Sequence, residues 1–303
     1  MQFSGKIIEM IHGSIVPLVT PFRNGRIDEG SLQRLVDWQI ASGSHGISVT
    51  GTTGEPSSLS RDERKRVFEI VSETINKRIP FVPATGSNNL EETLELSRYA
   101  EKLSADAVLV ITPYYVRPSQ EGLYHYFRAI ASDLALPVIL YNIPGRAAIN
   151  LEIETVLRLR ESCPNIVGIK EANKDFEHIN LLLHRAGRDF LVYSGIELLC
   201  FPILAVGGAG FISATANLLP DKMALLYNLS QQGKWDDARA LHFYLTPLNE
   251  AVFYEINPVP VKTALGWMGK LDPEVRLPLT AMSPHNQERL KKVLKTYNLI
   301  NND

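Results

Sequence analysis

Eight short stretches of apolar and β-branched residues recur along the chain at a nearly constant spacing. They span residues 14–19, 46–49, 81–85, 107–111, 138–141, 166–170, 190–194 and 210–213. The spacing is close to the ~30 residues of one strand-helix-strand unit. The segments between the stretches have the periodicity of amphipathic helices, as in residues 31–41 and 91–103. The chain is therefore predicted to alternate strands with helices.

The eight stretches are apolar throughout instead of alternating with polar residues. Continuous hydrophobic strands are typical of parallel sheets that helices cover on both faces. Eight repeats favour a closed barrel over an open sheet, and the glycines of residues 51–54 lack the spacing of a dinucleotide fingerprint. The sequence predicts an α/β fold, a (β/α)8 TIM barrel over residues 1–220. A helical extension is expected over residues 221–303, with helices near 236–245 and 286–297.

The composition excludes several functional classes. The chain has 31 Lys and Arg against 33 Asp and Glu, so it lacks the basic character of a nucleic-acid-binding protein. Its one short basic cluster, residues 61–66, is interleaved with acidic residues and predicts the start of a solvated helix. Two cysteines, Cys163 and Cys200, are too few for a disulfide framework. Because the N-terminus also does not resemble a signal peptide, we expect a cytoplasmic protein.

One uncharged segment, residues 198–219, is long enough to require a test for membrane insertion. It contains Pro202 and a glycine cluster at residues 207–210, which would make a poor membrane-spanning helix. A buried helix, a glycine turn and a buried strand fit the segment better. We therefore expect no association with a membrane.

Reactive residues follow the predicted strands, and barrels of this kind place the active site at the carboxyl ends of their strands. Lys170 ends the sixth apolar stretch. A lysine there either acts as a nucleophile in a polar mouth, or extends to solvent and pairs with a carboxylate such as Glu171. The vicinal Thr52 and Thr53 and tyrosines at other strand ends favour the nucleophile. Their hydroxyls are able to pass protons while a carbinolamine forms and dehydrates.

Three other groups at the strand ends each allow two interpretations. Arg146 follows a tight Asn-Ile-Pro-Gly turn, and its fork of donors suits either a bound carboxylate or an ordinary surface salt bridge. Residues 50–55 are small enough to leave backbone N–H groups free for an anion. They lack the lysine of a phosphate-binding loop, which favours a carboxylate. Tyr114 and Tyr115 either act in the site or pack a loop.

Metal chemistry and a serine nucleophile have little support in the sequence. The seven histidines are scattered, and no H-x-x-x-H or H-E-x-x-H pair occurs. No serine stands in a G-x-S-x-G turn. We expect neither a metal site nor a cofactor site in this protein.

The motifs at the strand ends together resemble the dihydrodipicolinate synthase / N-acetylneuraminate lyase family of pyruvate-dependent class I aldolases. The resemblance runs through essentially the whole chain, with its motifs in the family's order, which makes it more specific than any single motif. The motifs are GTTGE at 51–55, TPYY at 112–115, YNIP at 141–144 with Arg146, GIKEA at 168–172, GG at 207–208, TAN at 215–217, NP at 257–258 and PVK at 260–262.

The resemblance implies a role for each catalytic residue. Lys170 would form a Schiff base with the keto carbon of pyruvate, and this covalent imine would take the place of a cofactor. Tyr141 would relay protons above it, together with Thr52 and with Tyr115 contributed by a neighbouring subunit. The protein is therefore expected to be an oligomer, a homotetramer, that binds small-molecule substrates.

The resemblance also implies how the substrates bind. Thr53 would hold the pyruvate carboxylate, and Ile212 and Gly195 would line the same small pocket. Arg146 would bind the carboxylate of the incoming aldehyde, L-aspartate 4-semialdehyde. The enamine formed from pyruvate would attack this aldehyde, and the aldehyde's amine would then displace Lys170 and close the ring. The product would be 4-hydroxy-tetrahydrodipicolinate, on the route to lysine.

Some residues depart from the family's usual pattern. Asn173 and Lys174 stand where a small residue and a glycine are usual, and Ile196 replaces an acidic residue. These changes could alter recognition of the second substrate's amino end. Val116 replaces a polar residue, and Pro56 follows the GTTGE motif.

The family's regulatory lysine site is only partly matched by this sequence. Asn88, Glu92 and Tyr114 match positions of that site. Pro56 and the two arginines Arg61 and Arg64 do not resemble the residues of lysine-sensitive members. We expect weak or absent inhibition by lysine.

Three other functions are alternatives to the condensation that the resemblance implies. A relative with the same Lys170 chemistry would act on a different 4-hydroxy-2-oxo acid. A metabolite sensor would bind a carboxylate through Thr53 and Arg146 without turnover, although pure binding does not require a nucleophile and a proton relay together. A pyridoxal phosphate enzyme would carry its cofactor on Lys170.

Overall fold

The computed structural model describes residues 11–301, and a barrel of parallel strands forms its centre. The strands are β1 (Gly13–Pro17), β2 (Phe22–Arg23), β3 (Arg26–Ile27), β4 (Gly46–Ser48), β5 (Val108–Ile111), β6 (Val138–Asn142), β7 (Ile166–Glu171), β8 (Leu191–Ser194) and β9 (Gly210–Ile212). Seven of them form one sheet in the order β4-β1-β9-β8-β7-β6-β5, and all of its pairs are parallel. All of their residues except Ile111 are buried, which confirms that the sheet is covered on both faces.

The structure differs from the prediction at the third strand. Residues 81–84 lie between the two edges of the sheet, but they form no continuous strand. Isolated parallel bridges join this segment to Ile47 in β4 and to Leu109 in β5. Pro83 lies in the middle of the segment and has no N–H to donate, which interrupts the regular ladder. The barrel therefore has seven continuous strands and one bridged segment, not eight strands.

Helices occupy the connections between the strands, as the periodicity predicts. They are α1 (Glu29–Ala41), α2 (Arg61–Ile75), α3 (Leu90–Lys102), α4 (Gln120–Asp133), α5 (Pro144–Ala147), α6 (Ile153–Ser162), α7 (Phe176–Ala186), α8 (Cys200–Ala205), α9 (Pro220–Gln231), α10 (Trp235–Ala251), α11 (Val259–Trp267) and α12 (Pro284–Thr296). The predicted helices at residues 31–41 and 91–103 are confirmed as α1 and α3. Helix α2 begins with a capping box, in which the Ser60 hydroxyl accepts from the Glu63 N–H and the Glu63 carboxylate accepts from the Ser60 N–H.

The buried apolar side chains form two separate layers. One lies between the sheet and the surrounding helices, and the other fills the interior of the barrel. Successive residues of a strand point to opposite faces, so Ile139 belongs to the interior layer and Leu140 to the outer one. The same alternation decides which polar residues at the strand ends reach the barrel mouth.

The chain after the barrel forms the expected helical extension. Helix α9 begins at Pro220, and the described part of the chain beyond it contains helices and no strand. The helices predicted near 236–245 and 286–297 are confirmed as α10 and α12. The division into domains at residue 220 stays a prediction. Its outer limits, residues 1–10 and 302–303, lie outside the described residues. Most of the N-terminal segment, which does not resemble a signal peptide, lies outside them as well.

The uncharged segment at residues 198–219 folds as predicted. It contains the helix α8, which is buried at three of its six residues, a turn at residues 206–209 and the buried strand β9. Among residues 11–301, no helix combines the length and the hydropathy needed to cross a membrane. The sequence did not predict the antiparallel hairpin of β2 and β3, whose strands have two residues each.

Candidate active site

The mouth of the barrel places Lys170 and Tyr141 side by side. Lys170 lies near the end of β7 and pairs in register with Tyr141 on β6. Both side chains are buried, and the Lys170 Nζ lies 4.3 Å from the centroid of the Tyr141 ring. The parallel register therefore brings the predicted nucleophile and the predicted proton relay together.

Glu171 does not serve as the partner of Lys170. Its carboxylate is fully buried and accepts hydrogen bonds from the Asn142 Nδ2 at 2.9 Å and from the Asn173 backbone N–H at 2.9 Å. The side chains of neighbouring strand residues point to opposite faces, which separates this carboxylate from the Lys170 amine. Within the described part of the chain, the Lys170 amine forms no ion pair with a carboxylate. The salt-bridge alternative for this lysine is wrong, and its amine faces the barrel mouth.

Gly195 leaves room for the lysine side chain. A Cβ atom at this position would lie 2.9 Å from the Lys170 Cε and 2.9 Å from the Ala172 Cβ. The Gly195 N–H donates to the Glu171 carbonyl oxygen at 2.7 Å and so follows the end of β7 closely. Ile212, at the end of β9, belongs to the same interior layer as Tyr141. Glycine at position 195 therefore has a steric reason that the sequence did not show.

The hydroxyl groups of Thr52 and Tyr141 also meet in the mouth. Thr52 begins a 3-10 helix, Thr52–Gly54, that follows β4. Its Oγ1 lies 3.3 Å from the Tyr141 hydroxyl oxygen. Two hydroxyls in contact beside an amine are able to pass a proton between them.

Tyr115 lies outside this group of residues. Its side chain is 87% exposed, and its backbone has a φ of +73°. Within a single chain it does not reach Tyr141 or Thr52. Its contribution from a neighbouring subunit stays a prediction.

Thr53 and Arg146 are both in contact with Asn257, a residue of the extension. The Asn257 Nδ2 donates to the Thr53 Oγ1 at 2.9 Å, and the Arg146 Nη2 donates to the Asn257 carbonyl oxygen at 3.3 Å. Arg146 is exposed, and within residues 11–301 no carboxylate pairs with its guanidinium. The surface salt bridge is thus not formed, and the guanidinium is available to a ligand.

A cavity of about 300 Å³ opens beside these residues. Its lining combines the barrel loops with the extension, and it includes Thr52, Tyr114, Arg146, Ile256, Asn257 and Arg276. The volume is at the lower end of the range for small-molecule sites. Of the two arginines in its wall, Arg276 is paired with Glu63, so Arg146 is the one that suits a small anionic ligand.

A buried ion pair fastens the extension to the same loop. The Lys262 Nζ lies 2.6 Å from the Glu55 Oε1, and both side chains are almost completely buried. Burial lowers the pKa of Lys262, and the nearby Glu55 carboxylate opposes that change. The ammonium of Lys262 and the guanidinium of Arg276 lie 4.1 Å and 4.2 Å from the centroid of the Phe22 ring. Both residues belong to motifs of the sequence, GTTGE and PVK, but no local pattern indicates that they pair.

Another buried carboxyl, that of Glu197, connects the ends of β8 and β9. Its Oε1 accepts from the Ala214 N–H at 2.8 Å and from the Ser213 hydroxyl at 3.3 Å. Burial raises the pKa of Glu197, and these hydrogen bonds and the charge of Lys170 act in the opposite direction. This contact fixes the loop after Gly195 beside the end of β9. The sequence offered no signal for it.

The basic cluster at residues 61–66 is only partly solvated. Arg64 is buried, and its guanidinium pairs with Glu92 at 3.1 Å and donates to the Ala84 carbonyl oxygen at 2.9 Å. The prediction of a solvated helix is therefore wrong for Arg64. It is correct for Arg61, which is exposed and pairs with Glu95.

Comparison with known proteins gives a consistent result. The model of the dihydrodipicolinate synthetase family matches residues 10–297. A 4-hydroxy-tetrahydrodipicolinate synthase of Thermus thermophilus is 49% identical over 292 residues, which cover 96% of this chain and 98% of the relative. Crystal structures of dihydrodipicolinate synthases agree as well. That from Thermotoga maritima has a TM-score of 0.93 at 41% identity and covers 96% of this chain and 100% of its own. That from Aquifex aeolicus has a TM-score of 0.95 at 38% identity and covers 97% and 100%.

The matches extend over nearly the whole chain, and they include both the barrel and the helical extension. The family model covers every residue of the candidate site, from Thr52 to Asn257. Sequence identity and fold agree over the same length. The chain belongs to the dihydrodipicolinate synthetase family.

Proposed function

We propose that the protein is a 4-hydroxy-tetrahydrodipicolinate synthase, a carbon–carbon lyase that condenses pyruvate with L-aspartate 4-semialdehyde in lysine biosynthesis. The observation that carries this proposal is the position of Lys170. Its amine lies in the barrel mouth without a carboxylate partner in the described chain, beside the Tyr141 ring. Relatives with this name are nearly half identical over almost their full length.

The first half of the reaction uses the Lys170 amine. In its unprotonated form it attacks the keto carbon of pyruvate, and the resulting carbinolamine loses water to give an imine. Tyr141 and Thr52, whose hydroxyl oxygens are 3.3 Å apart, pass the protons that these steps require. Because the imine itself withdraws electrons from the methyl group, the chemistry requires no metal and no cofactor.

The second half joins the two substrates. Loss of a methyl proton from the imine gives an enamine, which attacks the aldehyde carbon of the second substrate. The amine of that substrate then displaces Lys170 from the imine and closes the ring, which releases the enzyme. One water leaves during imine formation, so the atoms of the two substrates and the cyclic product balance.

Each substrate has a carboxylate, and the site has separate groups for each. Thr53 binds the carboxylate of pyruvate, in a small pocket that Gly195 and Ile212 also line. Arg146, exposed in the wall of the cavity, binds the carboxylate of the semialdehyde. A guanidinium suits this task because it donates two parallel hydrogen bonds to a carboxylate.

The same proposal includes the oligomeric state of the enzyme and its cellular compartment. Tyr115 is 87% exposed in the single chain, which supports its donation to the site of a neighbouring subunit. We infer a homotetramer that works in the cytoplasm on small-molecule substrates, without nucleic-acid or membrane partners.

The experiment that tests the function compares aldehydes. Purified protein is given pyruvate with L-aspartate 4-semialdehyde, or with other aldehydes that would form 4-hydroxy-2-oxo acids. We expect the highest kcat/KM for the semialdehyde and no measurable turnover by the Lys170→Arg variant. A higher kcat/KM for another aldehyde would assign the enzyme to a different reaction of the family. Pyruvate binding without turnover would identify a sensor.

A further inference from the structure

Asn257 connects the helical extension to both carboxylate-binding residues of the site. It lies directly before α11, lines the cavity, and is only 7% exposed. Its side chain contacts Thr53, and its backbone carbonyl contacts Arg146. One residue therefore holds each of the two groups, through different atoms.

The hydrogen bond to Thr53 has a direction that matters for ligand binding. A hydroxyl group has one proton to donate and lone pairs that accept. Because the Asn257 Nδ2 donates to the Thr53 Oγ1, the Thr53 proton points elsewhere. Among residues 11–301, no acceptor takes that proton. It is free to be donated to a carboxylate oxygen in the site.

The position of Asn257 is fixed by its surroundings. The Val259 N–H donates to the Ile256 carbonyl oxygen at 2.9 Å and closes a turn around Asn257. Lys262, five residues further on, forms the buried ion pair with Glu55, which is two residues from Thr53. The loop that carries Thr53 and the segment that carries Asn257 are thus held together at two points.

The Asn257 Oδ1 is also buried, and it has no hydrogen-bond partner in the described structure. A buried polar atom without a partner normally costs stability. The amide keeps its donor side on Thr53 even so. Such an arrangement is expected where the direction of one hydrogen bond serves the site.

We propose that Asn257 is a positioning residue that sets the direction of the Thr53 hydroxyl and thereby the affinity for pyruvate. The inference rests on the proposed function and assigns the two contacts of Asn257 to different substrates. The side chain acts on pyruvate through Thr53. The backbone carbonyl acts on the second substrate through Arg146, and substitution of the side chain leaves this carbonyl in place.

Steady-state kinetics of four variants test the proposal. Asn257→Ala should raise the KM for pyruvate about tenfold. This is the size expected when the Thr53 hydroxyl, which donates to the charged ligand, is no longer oriented by a hydrogen bond. The KM for the semialdehyde should stay within about twofold, since the carbonyl that holds Arg146 remains. Asn257→Asp, which has nearly the same shape, should raise the KM for pyruvate further. Its carboxylate would accept the Thr53 proton and repel the pyruvate carboxylate.

The remaining two variants, Thr53→Val and the double variant Thr53→Val/Asn257→Ala, form a double-mutant cycle. If Asn257 acts through Thr53, the double variant should bind pyruvate no more weakly than Thr53→Val alone. A purely structural loss would instead add to the effect of Thr53→Val. Additive effects would therefore overturn the proposal.

Asn249→Ala is the matched control for the loss of a buried asparagine. Asn249 lies in α10, is equally buried, and its Oδ1 accepts from the Thr215 hydroxyl at 2.8 Å. This variant should lower the melting temperature without changing the KM for pyruvate. An unchanged KM for pyruvate in Asn257→Ala, or equal changes for both substrates, would contradict the inference. Wild-type protein that forms no pyruvate adduct would contradict the proposed function itself, which separates the two failures.

Discussion

The family resemblance implies that Arg64 stands at the regulatory lysine site, where it differs from the residue of lysine-sensitive members. Its guanidinium is buried between the carboxylate of Glu92 and the carbonyl oxygen of Ala84. An incoming ammonium group would have to displace this paired cation from Glu92. Separating the buried Arg64 guanidinium from its partner is costly, so we expect Arg64 to hinder binding of the effector.

We therefore predict that the wild-type enzyme keeps most of its activity in millimolar lysine. Arg64→His, which releases Glu92, should increase the inhibition by lysine severalfold. Arg61→His is the control, since Arg61 is exposed and pairs with Glu95 on the surface. Initial rates at increasing lysine concentration measure the effect. Strong inhibition of the wild type would show that Arg64 does not exclude the effector.

Site residues near the end of a strand were predictable from the sequence. Site residues from distant parts of the chain were not. Lys170 and Tyr141 each lie one residue before the end of their strands, and the parallel register places them side by side. Asn257 contacts Thr53 across about 200 residues of chain. No local pattern reports such a contact, because it depends on how the extension packs on the barrel. The direction of Glu171 is different, because it follows from the alternation of side chains along a strand once Glu171 is placed in the same strand as Lys170.

The ion pair between Glu55 and Lys262 is the main polar contact between helix α11 and the loop that carries Thr52 and Thr53. Both charges are almost completely removed from water, with 2.6 Å between Lys262 Nζ and Glu55 Oε1. A buried pair of this kind contributes little over an apolar pair, but breaking it leaves an unpaired charge in the interior. Its loss should affect stability and the site together.

We predict that Glu55→Gln lowers the free energy of unfolding by about 3–5 kcal/mol. The double variant Glu55→Gln/Lys262→Met should recover most of this loss, because no unpaired charge remains. Denaturant unfolding measures both values. Asp133→Asn, which breaks the exposed pair with Arg98, is the control and should cost less than about 1 kcal/mol. A double variant as unstable as Glu55→Gln alone would show that the charge is not the cause.

The elements themselves were predicted well where their pattern was long. Alternating strands and helices followed from the spacing of apolar stretches, and α1, α3, α10 and α12 confirm it. The segment at residues 81–84 differed because Pro83 interrupts the hydrogen-bond ladder without changing the apolar pattern. The hairpin of β2 and β3 was missed because strands of two residues leave no periodicity.

The whole molecule is expected to complete its active site only by association. Tyr115 belongs to the proposed proton relay, yet its side chain is 87% exposed in the single chain. A donated tyrosine would make each site depend on two subunits. Two subunits that lack different catalytic groups should then restore activity when they associate.

We predict that mixed oligomers of Tyr115→Phe and Lys170→Ala subunits regain activity that neither variant has alone. The Tyr115→Phe subunit keeps its own Lys170 and receives Tyr115 from its partner, so each mixed pair has one complete site. Random pairing should restore about a quarter of wild-type turnover, since about half of the pairs are mixed. Co-expression of the two subunits in equal amounts supplies this randomly paired population for assay, and two affinity tags verify that mixed oligomers have formed. No recovery would place the function of Tyr115 within its own chain.

The proposed mechanism depends above all on a Schiff base between Lys170 and pyruvate. Borohydride reduction with and without pyruvate, followed by peptide mass spectrometry, tests it most directly. We predict a pyruvate-dependent adduct on Lys170 and none on Lys262, the other lysine that is buried among residues 11–301, whose amine is paired with Glu55. No adduct in folded protein, or an adduct on a different lysine, would contradict the mechanism.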